Sequence, residues 1–303
     1  MSLKLWYRAG IGIGDVFFQL ANWKSRKALI DIKRKNPGTK LLAVVTTNSH
    51  DASLLFHGAE FADDVIEVSW PVYVDFSNSV QSDYWKKVTN RCKEAGYTHL
   101  SDFWKQNKNF ELSNLDVSLN VYEEIQLNEI ISQGKYVFIH LYSTSQSKII
   151  APYVDIKKMI DRLIDDYHYN VVFVGKSHGF NSTWHEKGYP NREEVLQYNR
   201  NGLFNFTIEG NCDYNIRLIT KLLKHATKRI LAESVFPQAC AMYNVDLVCL
   251  LAPGSKTWYE SIRDSKTDQR NCYFDLFKSE KNKWYDIKEI NGDVVTACDS
   301  YLK

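Results

Sequence analysis

A run of glycines ends in a carboxylate at residues 8–20, RAGIGIGDVFFQL. The apolar segment LKLWY before it predicts a strand, and an apolar helical pattern begins after Asp15. Glycine allows positive φ or close approach of a ligand to the backbone, and a helix N-terminus adds partial positive charge. The spacing is GxGxGD, whereas the dinucleotide fingerprint is GxGxxG with an acidic residue after the next strand. The segment predicts either a ligand-binding turn that presents Asp15 or an ordinary strand-to-helix turn.

Hydroxyl groups and one ammonium group follow the predicted strand KYVFIHLYS near the middle of the chain. Ser143 and Thr144 come first, and Lys148 follows within the same segment. Such groups at the carboxyl end of a parallel strand suit a diphosphate. The alternative is a polar loop with a solvated lysine.

Two later strand ends carry further candidates for a binding site. Gly175 ends the strand YNVVFVG, where a plain surface turn is the alternative. Glu233 and Ser234 end the strand RILAES, and Gln238 lies in the helix that follows. Glu233 is placed to bind a ribose or sugar hydroxyl pair, and Ser234 is a candidate cap for the helix. Proline at position 237 is well tolerated in a first helical turn.

Composition restricts the class of protein. The 303 residues suit two domains, and 44% apolar and 24% charged residues indicate a globular chain. The net charge of +2 gives no general attraction to nucleic acid or acidic membranes. The six cysteines form no CxxC pair, which favours buried free thiols. Neither a signal peptide nor an apolar run of membrane-spanning length is visible, so we expect a cytoplasmic protein without integral membrane association.

Strands and helices alternate along the whole chain, the rhythm of parallel sheets with crossover helices. The pattern restarts after a helix or linker at residues 122–134. We therefore expect an α/β fold of two Rossmann-like domains that face a cleft, divided as 1–130 and 131–303. The final segment, DIKEINGDVVTACDSYL, predicts a closing helix with Asn291 as its N-cap.

Taken in order, these motifs resemble the GT-B glycosyltransferases of the heptosyltransferase type, glycosyltransferase family 9. The shared order is strand–GxGD–helix, then strand–hydroxyl pair–Lys, then strand–acid–Ser/Thr–helix, a strand ending in APG, and a C-terminal helix. The family signature Asp-(Thr/Ser)-Gly-x-x-His falls on residues 233–238. Here its Asp is Glu233, its Gly is Val235 and its His is Gln238.

The resemblance implies inverting transfer of a sugar from a nucleoside-diphosphate sugar to an acceptor hydroxyl. Asp15 would be the base that deprotonates the acceptor. Ser143, Thr144 and Lys148 would hold the donor diphosphate, and Gly175, Glu233, Ser234 and Gln238 would complete the donor site. No metal ligands and no cofactor are expected, and the sequence contains no DxD triplet. Residues 1–130 would bind the acceptor and residues 131–303 the donor.

The acceptor stays open between two chemistries. Candidate contacts are two glycines and four aromatic residues at loop-like positions: Gly12, Gly14, Trp70, Tyr73, Phe76 and Trp104. Both sugars and nucleobases stack on such rings, and basic clusters at residues 24–35 and 86–93 suit a phosphate-bearing acceptor. A glycan or lipid-linked sugar is one candidate. The other is a hydroxymethylated DNA base that is flipped out of the helix, since many Lys, Asn and Tyr residues are typical of an AT-rich genome such as a phage's.

Two other classes of function compete with this interpretation. A nucleotide-sugar epimerase or another Rossmann oxidoreductase should carry GxGxxG and a Tyr-x-x-x-Lys pair after a strand, and neither occurs in the expected place. A non-catalytic glycan- or nucleic-acid-binding module of degenerate GT-B fold should have lost its base or its diphosphate residues. Asp15 and Lys148 are both present. The sequence leaves the oligomeric state undetermined.

Overall fold

The chain divides into two compact units, Met1–Ser118 and Leu119–Lys303. The computed structural model describes the following residues: 3–8, 23–45, 52–56, 59–67, 78–100, 116–142, 150, 153–176, 197–208, 215–254 and 282–303. The division falls after Ser118, whereas the sequence suggests a boundary at residue 130, inside a helix. That helix, α3, begins at Val121 and ends at Ser132, and it belongs to the second unit.

The described residues of the first unit form a four-stranded parallel sheet with strand order β3-β2-β1-β4. Its described elements are β1 (Lys4–Arg8), α1 (Trp23–Lys35), β2 (Lys40–Val45), a 3₁₀ helix (Ala52–Phe56), β3 (Asp64–Glu67), α2 (Asn78–Glu94) and β4 (Thr98–His99). A small core joins sheet to helix, because Trp6 and Val44 pack with Val88 and Cys92 of α2. The β1–β2 register pairs Lys4 with Lys40.

Within its described ranges, the second unit contains a six-stranded sheet with order β10-β9-β8-β5-β6-β7, in which every neighbouring pair is parallel. Besides α3, its described elements are β5 (Tyr136–His140), α4 (Ile156–Asp165), β6 (Asn170–Lys176), β7 (Leu203–Ile208), α5 (Ile216–His225), β8 (Lys228–Ala232), α6 (Val235–Tyr243), β9 (Val248–Leu251), β10 (Lys283–Asp286), α7 (Val294–Ala297) and α8 (Asp299–Leu302). The predicted fold class, two parallel-sheet domains of α/β type, is confirmed.

Local sequence explains why α3 forms and which unit it joins. Asn120 and Glu123 form a reciprocal capping box at its start. The Glu123 carboxylate also accepts a hydrogen bond from Arg217 of α5 at 3.0 Å. Glu123 is buried, so this ion pair ties α3 to the second unit.

The C-terminal segment differs from the predicted closing helix. Its first residue, Asp286, is the last residue of β10, residues 287–292 form a turn, and two short helices, α7 and α8, follow. The predicted N-cap Asn291 is wrong, because Gly292, which would then be the first helical residue, has φ 74°, a value that helical residues do not adopt. The N-cap of α7 is Asp293, whose side chain accepts from the Thr296 N–H at 3.2 Å. Val294, Val295, Cys298, Tyr301 and Leu302 bury this segment in the core of the second unit.

The cysteine prediction is confirmed for the described residues. Cys92, Cys240, Cys249 and Cys298 are free and buried. Within the described ranges we find no helix with the length and apolar character needed to cross a membrane.

Candidate functional site

The chain adds strands to the six-stranded sheet first on one side of β5 and then on the other. From β5 it proceeds through β6 to β7, and β8 then pairs with the other side of β5, followed by β9 and β10. In open parallel sheets, ligands bind outside the carboxyl ends of the strands at such a switch point. The carboxyl ends of β5 and β8 are therefore the candidate site.

Two polar side chains meet at this point. His140 is the last residue of β5 and pairs in register with Leu231 of β8. Ser234 follows β8 directly before α6, and its Oγ lies 3.1 Å from Nδ1 of His140. Ser234 Oγ is also within donating distance, 3.2 Å, of the Ala232 carbonyl oxygen. The contact joins the two strands on either side of the switch point.

The first turn of α6 carries the next predicted residue. Gln238 is only partly exposed, and its Oε1 is buried without a hydrogen-bond partner among the described residues. A buried acceptor of this kind costs about 1–3 kcal/mol unless a ligand or water satisfies it. Pro237, the third residue of α6, has no N–H, so one of the two amides that a capping side chain uses is missing. The Ser234 hydroxyl is instead directed at His140 and Ala232.

Glu233 stands between the strand and Ser234. Its backbone N–H donates to the Leu250 carbonyl of β9 at 3.2 Å, which holds the end of β8 against its neighbour. Its side chain is partly exposed. Further along α6, burial raises the pKa of the Cys240 thiol to about 12, so this thiol stays neutral and is no nucleophile at neutral pH.

The ends of β9 and β10 are fastened to each other by one buried carboxylate. Asp286 accepts from the Gly254 N–H at 2.7 Å and from the Lys288 N–H at 3.0 Å. Gly254 has φ +78°, a conformation that favours glycine. The APG segment after β9 thus has its backbone fixed by a residue that sequence reasoning did not single out.

Gly175, at the end of β6, is closed over by an aromatic ring. A Cβ at this position would lie 2.6 Å from Cε2 of Tyr142 and 3.0 Å from Cγ2 of Thr207. Tyr142 follows β5 and also packs against Phe173 of β6, with ring centroids 6.1 Å apart. The absent side chain therefore makes room for the Tyr142 ring.

The structure brings together three of the predicted residues, Glu233, Ser234 and Gln238, at the end of β8. Asp15, Ser143, Thr144 and Lys148 lie outside the described residues, as do the acceptor candidates Gly12, Gly14, Trp70, Tyr73, Phe76 and Trp104. Sequence reasoning missed His140 and Tyr142. A histidine that ends an otherwise apolar strand, directly before a hydroxyl-rich segment, was the available signal for His140.

Comparison with solved structures identifies the class of fold: it is that of the GT-B glycosyltransferases, with two Rossmann-like parallel-sheet domains. ADP-heptose LPS heptosyltransferase II of E. coli matches with a TM-score of 0.58 and 12% identity, over 99% of this chain and 98% of that one.

Two further structures support the same fold. The family 9 glycosyltransferase from Veillonella parvula has a TM-score of 0.51 and 11% identity, covering 99% of this chain and 97% of its own. The E. coli heptosyltransferase WaaC with ADP has a TM-score of 0.51 and 10% identity, covering 99% and 100%. No protein-family model and no curated protein matches the sequence.

Proposed function

We propose that this chain is a glycosyltransferase that moves a sugar from a nucleoside-diphosphate sugar to an acceptor hydroxyl. The observation that carries the proposal is the match of the whole chain, 99% of its length, to the fold of an ADP-heptose heptosyltransferase. Polar side chains that meet at the switch point of the second sheet support a binding site there.

The donor would bind at the carboxyl edge of the six-stranded sheet. Ser143, Thr144 and Lys148 follow β5, and Glu233, Ser234 and Gln238 follow β8. Because β5 and β8 are neighbours, both segments start from the same edge. In this proposal the first group binds the diphosphate and the second binds hydroxyls of the donor. Gly175 lies at the end of β6, the strand that pairs with β5 on its other side. WaaC was solved with ADP, which makes ADP-sugars the first donors to test.

The chemistry would be an inverting displacement. Asp15 removes the proton of the acceptor hydroxyl as its oxygen attacks the anomeric carbon. The bond between that carbon and the diphosphate oxygen breaks, and Lys148 with the hydroxyls of Ser143 and Thr144 stabilises the departing nucleoside diphosphate. In this mechanism the reaction needs neither a metal ion nor a cofactor.

The acceptor would bind the first unit through the aromatic candidates named above. A glycan or lipid-linked sugar and a hydroxymethylated DNA base both satisfy the chemistry, and the reaction would take place in the cytoplasm. The alternative to the enzyme is a non-catalytic glycan- or nucleic-acid-binding module with the same fold.

Two measurements test the proposal. Thermal-shift screening against ADP-, UDP- and GDP-sugars should give a stabilising shift with at least one donor. Mass spectrometry of glycan and hydroxymethyl-DNA acceptors, incubated with that donor, should then show addition of one sugar. A donor that binds without any transfer supports the binding module, and the absence of any nucleotide-dependent shift contradicts the proposed donor site.

A further inference from the structure

His140 is a buried polar residue at the end of a completely buried strand. The other residues of β5, Tyr136 to Ile139, are apolar or aromatic and buried, and His140 itself is only 5% exposed. An imidazole in such a place is unfavourable unless its nitrogens are hydrogen-bonded. The contact between Nδ1 and Ser234 Oγ supplies one of these bonds across the switch point.

The ring of His140 is also held by packing. Its centroid lies 4.6 Å from that of Phe236 in α6, at an interplanar angle of 72°, and Phe236 packs in turn on Phe138 at 5.4 Å. This edge-to-face cluster connects β5 to the first turn of α6. A ring of similar size could keep the packing and lose the hydrogen bond, so the two contributions can be separated by mutation.

The contacts with His140 and Ala232 together determine where the Ser234 hydroxyl hydrogen points. Ser234 Oγ has a single hydrogen, and in the described part of the chain it has two hydrogen-bond neighbours, His140 Nδ1 at 3.1 Å and Ala232 O at 3.2 Å. If Nδ1 is unprotonated, the hydroxyl donates to it. If Nδ1 carries a hydrogen, Nδ1–H donates to Oγ and the hydroxyl donates to Ala232. In both arrangements the hydrogen is used within the protein, and Ser234 offers a ligand only its oxygen lone pairs.

We propose that His140 is a positioning residue of the donor site, which fixes the Ser234 hydroxyl as a hydrogen-bond acceptor at the switch point. The inference rests on the proposed function, since it concerns the same nucleotide-sugar site. Ser234 would accept from a hydroxyl of the bound donor. His140 acts through Ser234 and the first turn of α6.

The test compares two substitutions of His140 whose side-chain amide groups lie at different distances from the backbone. In H140N the amide occupies the place of Nδ1 and keeps a partner for Ser234 Oγ. In H140Q it occupies the place of Nε2 and leaves Ser234 without that partner. H140F keeps the packing against Phe236 alone. The probes are ADP, UDP, GDP and the corresponding glucose nucleotides, and the one that binds wild type best is titrated calorimetrically into every variant.

We expect H140Q and H140F to weaken binding of that nucleotide sugar by about 3- to 10-fold, the effect of one buried hydrogen bond. H140N should bind within about a factor of two of wild type, since it restores the bond. The double variant H140F/S234A should bind no more weakly than S234A, because His140 acts through Ser234. H168N, on the exposed residue before β6, is the matched control and should bind like wild type.

Three results would overturn the inference. Equal binding by H140N and H140Q shows that the Nδ1 position has no role. Additive losses in H140F and S234A show that the two residues act independently. Wild-type affinity in H140Q contradicts the inference even if H140F does not fold. Failure of every probe to bind wild type is a different result, because it removes the proposed function and the inference with it.

Discussion

The ends of β6 and β8 lie at the same edge of one sheet, and they use their residues differently. At the end of β6, the Tyr142 ring occupies the space of a side chain at position 175, since a Cβ there would lie 2.6 Å from Cε2 of Tyr142. At the end of β8, Ser234 is held by His140 of the neighbouring strand, and Gln238 has a buried acceptor atom without a partner among the described residues. The end of β6 is filled by an aromatic ring, and the end of β8 has polar groups that a ligand could contact.

Small or polar residues at the end of a strand can result from packing or from ligand binding, and the two strand ends illustrate one case each. Each strand ends in small or polar residues, and both ends were predicted to bind the donor. The glycine at 175 is explained by packing whether or not a ligand lies nearby. The unpartnered acceptor of Gln238 is unfavourable without a ligand or water, so the end of β8 is the better candidate for ligand recognition.

The largest expected effect is on the rate of transfer and not on donor binding. It tests whether the catalytic base, Asp15, is separate from the donor-binding residues at the end of β8. Asp15→Ala should lower kcat by about 10²–10⁴-fold, the usual contribution of a general base. Donor affinity measured by calorimetry should stay close to that of wild type. Asp31→Ala in α1 is the matched control, expected to keep full activity. Retention of more than about a tenth of wild-type activity by Asp15→Ala would exclude its role as base.

A smaller effect tests the packed end of β6. Gly175→Ala should lower the free energy of unfolding by about 1–3 kcal/mol, because the added methyl group overlaps the Tyr142 ring. In the background Tyr142→Ala the same substitution should cost clearly less, and a double-mutant cycle measured by urea denaturation isolates this coupling. Equal costs in both backgrounds would show that the ring does not require the glycine.

The smallest expected effect tests the polar end of β8. Here the substitution should raise the free energy of unfolding, whereas Gly175→Ala should lower it. Gln238→Met removes a buried, unpartnered acceptor and should raise the free energy of unfolding by about 1 kcal/mol in the absence of nucleotide. The same variant should bind the nucleotide sugar more weakly. Gln133→Met, on the exposed end of α3, is the control for side-chain chemistry. A Gln238→Met protein that is less stable and binds normally would contradict the assignment.

Sequence periodicity predicted most of the buried strands in order, because they are short apolar runs between turns, such as KLLAVV in β2 and YVFIH in β5. It missed the short strands β4 and β10. It failed at the C-terminus, where the apolar spacing of residues 286–302 is helical and the Asn291-Gly292 pair with positive φ interrupts it. The spacing of nearby residues cannot predict that Gly292 packs against the Tyr153 carbonyl, which lies far away in the sequence.

The candidate site was predictable only in part. Glu233, Ser234 and Gln238 lie within the six residues 233–238 after a strand, so their proximity follows from the chain itself. The contact of His140 with Ser234 depends on β5 and β8 being neighbours in the sheet. That pairing joins residues 94 positions apart and follows from the topology of the whole unit. Long-range pairing of this kind is what single-sequence patterns do not contain.

Hydrogen exchange with and without a nucleotide sugar tests the central claim most directly, that the end of β8 is part of a donor site. The sugar nucleotide selected by the thermal-shift screen should slow exchange at residues 232–240, with no change in α3 of the same unit. Absence of protection at residues 232–240 despite saturating nucleotide sugar would contradict the claim.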